Sequence, residues 1–172
     1  MIQNLMAYEE AGYKVVHKGE NFEIRYYEER IVIQTRYESG NSGFRKLFNY
    51  ISGQNQGGKK IEMTTPVTEL QDDNQMVMQF YLPARFNTSS APLPADNSLE
   101  IATIDAGYFA VIQYSGLASN KNFYKHAQIL KSSLDRDNIK ISSQPIKATY
   151  DGPFTLPNLR RNEAMYLVFW DN

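Results

Sequence analysis

The chain has no cysteine among its 172 residues. Disulfides, thiolate metal ligands and cysteine nucleophiles are thereby excluded. Histidine is almost as scarce: His17 and His126 are the only two, and they fall in different halves. There is no H-x-x-x-H spacing, no carboxylate cluster and no calcium-loop pattern, so a structural metal site is not expected. Long apolar runs are also missing. No segment approaches the ~18 consecutive apolar residues of a membrane-spanning helix. The first residues, MIQNLMAYEEAGYK, lack the basic region and apolar stretch of a signal peptide. The expected location is the cytoplasm, without membrane insertion. Charge of one sign is lacking too. A formal net charge of −1 argues against a general nucleic-acid surface. Gly40-Asn41-Ser42-Gly43 and Gly57-Gly58 match neither a P-loop nor a dinucleotide fingerprint, and G-x-S-x-G is absent. No catalytic constellation can be assembled, and the chain reads as a non-enzyme.

What is present is an ordinary core. Hydrophobic residues make up 42% and charged residues 22%, as in a typical globular protein. A chain of this length buries roughly 70% of its unfolded surface and needs no staples. Tyrosine and phenylalanine are abundant, at 12 and 9, against a single Trp170. Such a bias suits a β-rich core, or an aromatic cleft for a flat ligand.

Residues 1–12 read as a weakly helical surface lead and residues 13–172 as one domain. YKVVHK and NFEIRYY read as strands around the turn Gly19-Glu20-Asn21, followed by a third, RIVIQTRYE. Ser39-Gly40-Asn41-Ser42 supplies turn and N-cap chemistry. In GFRKLFNYISG, Phe44, Leu47, Phe48 and Ile51 form a helical apolar stripe, with Gly53 as the C-cap. GGKKIEMTTPV, from Gly57 to Val67, is expected to run as an extended segment after a glycine hinge. MVMQFYLP is the next strand. Phe86 to Ser98 is a Pro/Ser/Asn-rich linker. Beyond it LEIATID and YFAVIQYSG read as strands. A helix capped by Ser119 or Asn120 carries the stripe Phe123, Ala127, Leu130 and Leu134. IKATYDGPF and EAMYLVFW close the chain as strands. The order repeats, so two pseudo-repeats are expected, about 13–85 and 98–172. Two β-α-β-β units imply an α+β fold, an antiparallel sheet with a helix on each half, and a groove or barrel mouth for a ligand.

Several side chains invite chemistry. His17 reads as a half-buried strand residue or a ligand to haem iron or another metal, and His126 as a boundary residue of the second helix or a weaker candidate for the same iron. Lys59 and Lys60 open the central stretch, and Arg160 and Arg161 precede the last strand. Each pair reads as a solvated turn or as a groove rim holding anionic groups. Glu62 reads as an outward strand residue, a counter-ion for a cationic ligand, or an acid/base group.

GGKKIEMTTPV closely resembles the signature G-G-K-K-I-A-M-T-x-P-V of the SOUL haem-binding family. YKVVHKGENFEIRYYE resembles that family's opening hairpin, GFRKLFNYISGQN its first helix, YFAVIQYSGLAS the start of its second half and GPFTLPNLRRNEAMYLV its ending. The resemblance runs from about Tyr13 to Val168. It implies a distorted antiparallel β-barrel flanked by two helices, similar to bacterial effector-binding domains. It also implies non-covalent binding of haem or a related tetrapyrrole, for carriage or buffering, with haem as a possible cofactor. The alternative it implies is another flat hydrophobic, often cationic, small molecule. Some members are described with a histidine haem ligand just after F-E-I-R; that position here is Tyr26, and a tyrosine can ligate ferric haem. In other members apolar residues of the first helix contact the macrocycle, and the matching positions are Phe44 and Phe48, with Asn49 beside them. The same phenylalanines belong to the helix stripe, so a core role competes. Glu62 stands where the pattern has alanine.

Overall fold

The computed structural model describes residues 8–38 and 42–171. The turn and cap expected at Ser39-Gly40-Asn41 lie outside the described residues, as do positions 1–7 of the lead. The elements run β1 (Glu9–Glu10), β2 (Tyr13–Lys18), β3 (Glu23–Tyr27), β4 (Arg30–Tyr37) and α1 (Ser42–Ile51). Then come β5 (Thr64–Thr65), β6 (Val67–Asp72) and β7 (Gln75–Tyr81). The second half holds β8 (Leu99–Ile104), β9 (Gly107–Tyr114), α2 (Asn120–Arg136), β10 (Ile146–Thr149), a 3-10 turn (Pro157–Leu159) and β11 (Asn162–Val168).

Nine strands form one curled antiparallel sheet in the order β2-β3-β9-β11-β10-β6-β7-β4-β8. The order is nearly palindromic. β6 and β10 meet at the centre. Outward on each side come the last strand of that half and the strand before its helix. The opening strand then crosses over, so that β3 lies on β9 and β8 lies on β4. Each half thus completes its sheet with a strand from the other.

Strand alternation puts neighbouring residues on opposite faces. On one face α1 covers Ile31, Ile33, Met78 and Phe80, and α2 covers Ala110, Ile112, Ala164 and Tyr166. All four residues of the predicted α2 stripe are buried, and Ser119 caps the helix. The other, concave face collects Tyr27, Phe109, Val111, Ala148 and Met165. The result is a half-barrel with both helices outside.

Four expectations are corrected. The described part of the N-terminal lead is extended rather than helical: Glu9–Glu10 pairs in parallel with Thr64–Thr65. Glu9 accepts a hydrogen bond from the Ala84 amide at 2.7 Å, and Glu10 an ion pair from Arg161 at 2.9 Å. GGKKIEMTTPV is not one strand. Residues 57–63 form a loop, because Asn55 clamps the Lys59 backbone and the Ile61 amide bonds the Ile51 carbonyl at the end of α1. Gly57 and Gly58 take φ of +91° and +60° there, the left-handed region that glycine enters freely. The buried face of α1 is Gly43, Leu47, Tyr50 and Ile51, while Phe44 and Phe48 are 41% and 49% exposed. The helix is turned by close approach: a Cβ on Gly43 would stand 3.1 Å from the Tyr37 ring. Finally, residues 86–98 are a packed connection, with Ala91 and Pro92 buried and the Tyr50 hydroxyl donating to the Pro92 carbonyl at 2.7 Å.

Candidate functional site

Two regions carry the residues of interest. The first is the outer face of α1. Phe44 and Phe48, one helical turn apart, stack with centroids 6.1 Å apart and planes 12° off parallel. Phe44 meets the buried Phe80 edge-on at 5.1 Å. Asn49 is half-buried beside them, and Lys59 and Lys60 are exposed on the loop that follows. That loop is fixed rather than slack. The Asn55 amide donates to the carbonyls of Tyr50 and Lys59 at 2.8 and 2.7 Å and accepts from the Lys59 amide at 2.9 Å.

The second region is the mouth of the half-barrel, a cavity of about 700 Å³ walled by Tyr13, Tyr26, Arg30, Tyr81 and Phe86 among others. Of the residues singled out from the sequence, only Tyr26 borders it. Its ring tilts against Tyr108 at 5.2 Å. The negative charge of Glu28 holds the Tyr26 phenol above its ordinary range. Iron ligation needs the phenolate, so the environment works against that role.

On the same concave face lies a buried ionic network. Arg25 donates two hydrogen bonds to Glu163, at 2.9 and 3.0 Å, and the two side chains are 3% and 0% exposed. Tyr150 donates to the same carboxylate at 2.8 Å, and Arg161 at 2.9 Å. Burial alone would lower the Arg25 pKa; the bonds and charge of Glu163 outweigh it and raise it. Burial raises the Tyr150 phenol, and the Glu163 charge adds to this.

The remaining candidates fall elsewhere. Arg161 pairs with Glu10 and Glu163 and lies 3.8 Å over the Tyr150 ring, so it is not an open rim cation. Arg160 donates to the carbonyls of Thr155 and Gly152 and braces its own loop. His17 packs 4.9 Å from Trp170. His126 donates from Nδ1 to the Asn122 carbonyl at 2.8 Å and stacks on Tyr114 at 4.0 Å. Both histidines are thus engaged in packing. Glu62 is exposed and ion-paired to Arg85 at 2.6 Å; its own backbone amide, then Arg85, lower its pKa. It does not line the half-barrel cavity, and its carboxylate is held by Arg85. Among the described residues no group of three or more His, Asp or Glu could hold a metal, and no helix is long and apolar enough to cross a membrane.

Sequence reasoning missed Arg25, Glu163 and Arg30. A signal existed for two of them. In NEAMYLV, Glu163 shares a strand face with Met165 and Leu167, and in EIRYY, Arg25 shares one with Tyr27. A charge on an apolar face asks for a buried partner.

Comparison with known proteins agrees with this architecture. Heme-binding protein 1 of Xenopus laevis is 28% identical over 173 residues, covering 90% of this chain and 89% of that protein. The C-terminal domain of EcmrR has the same fold, with a TM-score of 0.63 at 16% identity, covering 91% of this chain and 98% of that one. So does SAV2435, solved bound to tetraphenylphosphonium, with a TM-score of 0.52 at 12% identity, covering 86% and 93%. The family model for the SOUL heme-binding protein matches residues 8–167, and the chain belongs to that family.

Proposed function

We propose that the protein binds haem or a related tetrapyrrole non-covalently, on the outer face of α1, and carries or buffers it without catalysing a reaction. The observation that supports this reading is the solvent-exposed stack of Phe44 and Phe48. A surface helix normally turns charged or polar side chains to water. Two adjacent exposed rings form an apolar platform, and covering it returns about 25 cal/mol per Å². A macrocycle laid there would meet both rings, with Asn49 at its edge. Lys59 and Lys60 would meet its propionates by charge-assisted hydrogen bonds. Haem would bring its own iron chemistry. The chain's contribution is the apolar contact and the two ammonium groups. With His17 and His126 occupied in packing, no imidazole serves the platform, which suits exchangeable rather than locked haem. Cytoplasmic residence is part of the same proposal.

The test is a hemin titration of the apo-protein followed by the Soret band. The expected result is one-to-one saturation, weakened at least ~10-fold by Phe44→Ala with Phe48→Ala, the loss of about 1.4 kcal/mol or more. Tyr26→Phe, His17→Ala and His126→Ala are expected to leave the band unchanged. Non-saturating uptake, or full affinity in the double phenylalanine variant, would reject the α1 site.

A second reading is binding of another flat hydrophobic molecule within the half-barrel. The 700 Å³ cavity favours it, being within the usual size range of small-molecule sites.

A further inference from the structure

The second reading leaves open which charge such a molecule carries, and the cavity walls answer this. Arg30 opens β4 and reaches across the concave face. Its guanidinium carbon lies 4.2 Å from the Tyr27 ring centroid, 5.0 Å from Tyr81 and 5.3 Å from Phe109. Those rings come from β3, β7 and β9. Its Nε is buried and meets no acceptor. Among the described residues no carboxylate pairs with it. That is unusual: a buried guanidinium nitrogen normally finds an acceptor. Ring faces attract a cation, but they leave the Nε–H donor unbonded.

The carboxylates nearby do not change the balance. Glu163, the fully buried one on this face, is already held by two arginines and Tyr150. Glu9, Glu28 and Glu29 border the cavity but are exposed, so water and salt screen them. Lys14 sits exposed at the same rim. Arg30 is half-buried, the least exposed of the charged side chains lining the cavity, and it is positive.

We infer that the half-barrel cavity is a binding site for an aromatic carboxylate, with Arg30 as the anion anchor and Tyr13, Tyr81 and Phe86 as the apolar walls. The site is separate from the α1 platform. Its charge preference is opposite to that of the tetraphenylphosphonium held by SAV2435. The inference rests on the reading that this cavity takes a small molecule, and the experiment separates the two.

Two probes with the same ring and opposite charge, naphthoate and naphthylmethylammonium, are titrated calorimetrically into the full chain. The side-chain Nε–H resonance of Arg30 is followed by NMR. Naphthoate is expected to bind at least ~10-fold tighter than the amine, in keeping with a hydrogen bond to a charged group, and to shift the Arg30 resonance. Arg30→Gln is expected to abolish that preference and Arg30→Lys to keep part of it, while hemin affinity is unchanged in both. Equal or tighter binding of the amine would overturn the charge assignment and leave the cavity reading standing. So would naphthoate binding that does not move the Arg30 resonance, a result that holds even if Arg30→Gln fails to fold. Binding of neither probe would overturn both.

Discussion

Glu163 shows how much one side chain can hold at the residue scale. It joins β11 to β3 through Arg25 and anchors Arg161, which in turn holds β1 through Glu10. Removing one partner of a buried pair leaves an uncompensated charge and costs about 3–5 kcal/mol. Glu163→Gln removes the buried charge that both guanidinium groups share, leaving Arg25 with the half-buried Glu23 and Arg161 with Glu10, so a loss of about 3 kcal/mol is expected. For a chain of this size each kcal/mol is worth roughly 2–4 °C, which puts the fall in Tm at about 10 °C. Arg136→Ala is the contrast. It breaks an ion pair with Glu20 in which both side chains are more than half exposed, and such pairs contribute little, so stability is expected to stay within ~0.5 kcal/mol. Urea denaturation of the two variants makes the comparison. Similar midpoints for both would mean that the buried network is not what ties these strands together.

The two helices differ at the element scale in what their sequences revealed. α2 was legible: its cap and its buried stripe fall where the 3.6-residue period places them. Ser119 accepts a hydrogen bond from the Asn122 amide at 3.2 Å, so Ser119→Ala is expected to cost about 1 kcal/mol in a thermal melt. α1 was legible as a helix but not in its rotation. Two stripes compete there, 44/47/48/51 and 43/47/50/51, and they share Leu47 and Ile51. The deciding contact is Gly43 against Tyr37, a residue of another element, and no local pattern encodes it. The apolar count favoured the first stripe. The structure buries the second, with Tyr50 tied to Pro92. Phe44 and Phe48 were therefore visible as candidates, while their exposure was not. Phe48→Ser follows from the observed rotation: unfolding free energy unchanged within ~0.5 kcal/mol, as for most surface substitutions, with weaker hemin binding. A core role for Phe48 would instead show as a loss of several kcal/mol.

At the scale of the whole molecule, element order was legible outside the N-terminal lead and the 57–63 loop, but strand pairing was not. The crossed positions of β3 and β8 join residues far apart in the chain, and so does the ring cage of Arg30. Both follow from three-dimensional closure, which sequence periodicity does not specify. Closure also sets how the molecule fails in alkali. Each apolar cluster contains a buried tyrosine: Tyr114 under α2, Tyr50 under α1 and Tyr27 on the concave face. Burial pushes all three phenols up to about 12, against about 10 in an unfolded chain. Above pH ~10 the unfolded state has lost protons that the folded state retains, so stability falls as pH rises. The contribution is fully present below pH ~10 and is lost as pH approaches about 12. A gap of this size is worth about 3 kcal/mol per group, a sizeable share of the ~5–15 kcal/mol that holds a domain folded. Because the halves share strands, the clusters are expected to give way together. The measurement is near-ultraviolet phenolate absorbance and far-ultraviolet circular dichroism across an alkaline titration. A step in absorbance coincident with loss of the dichroism signal between pH ~10 and ~12 is expected. Ionisation of all twelve tyrosines with the fold intact would show that these phenols are not shielded by closure of the sheet.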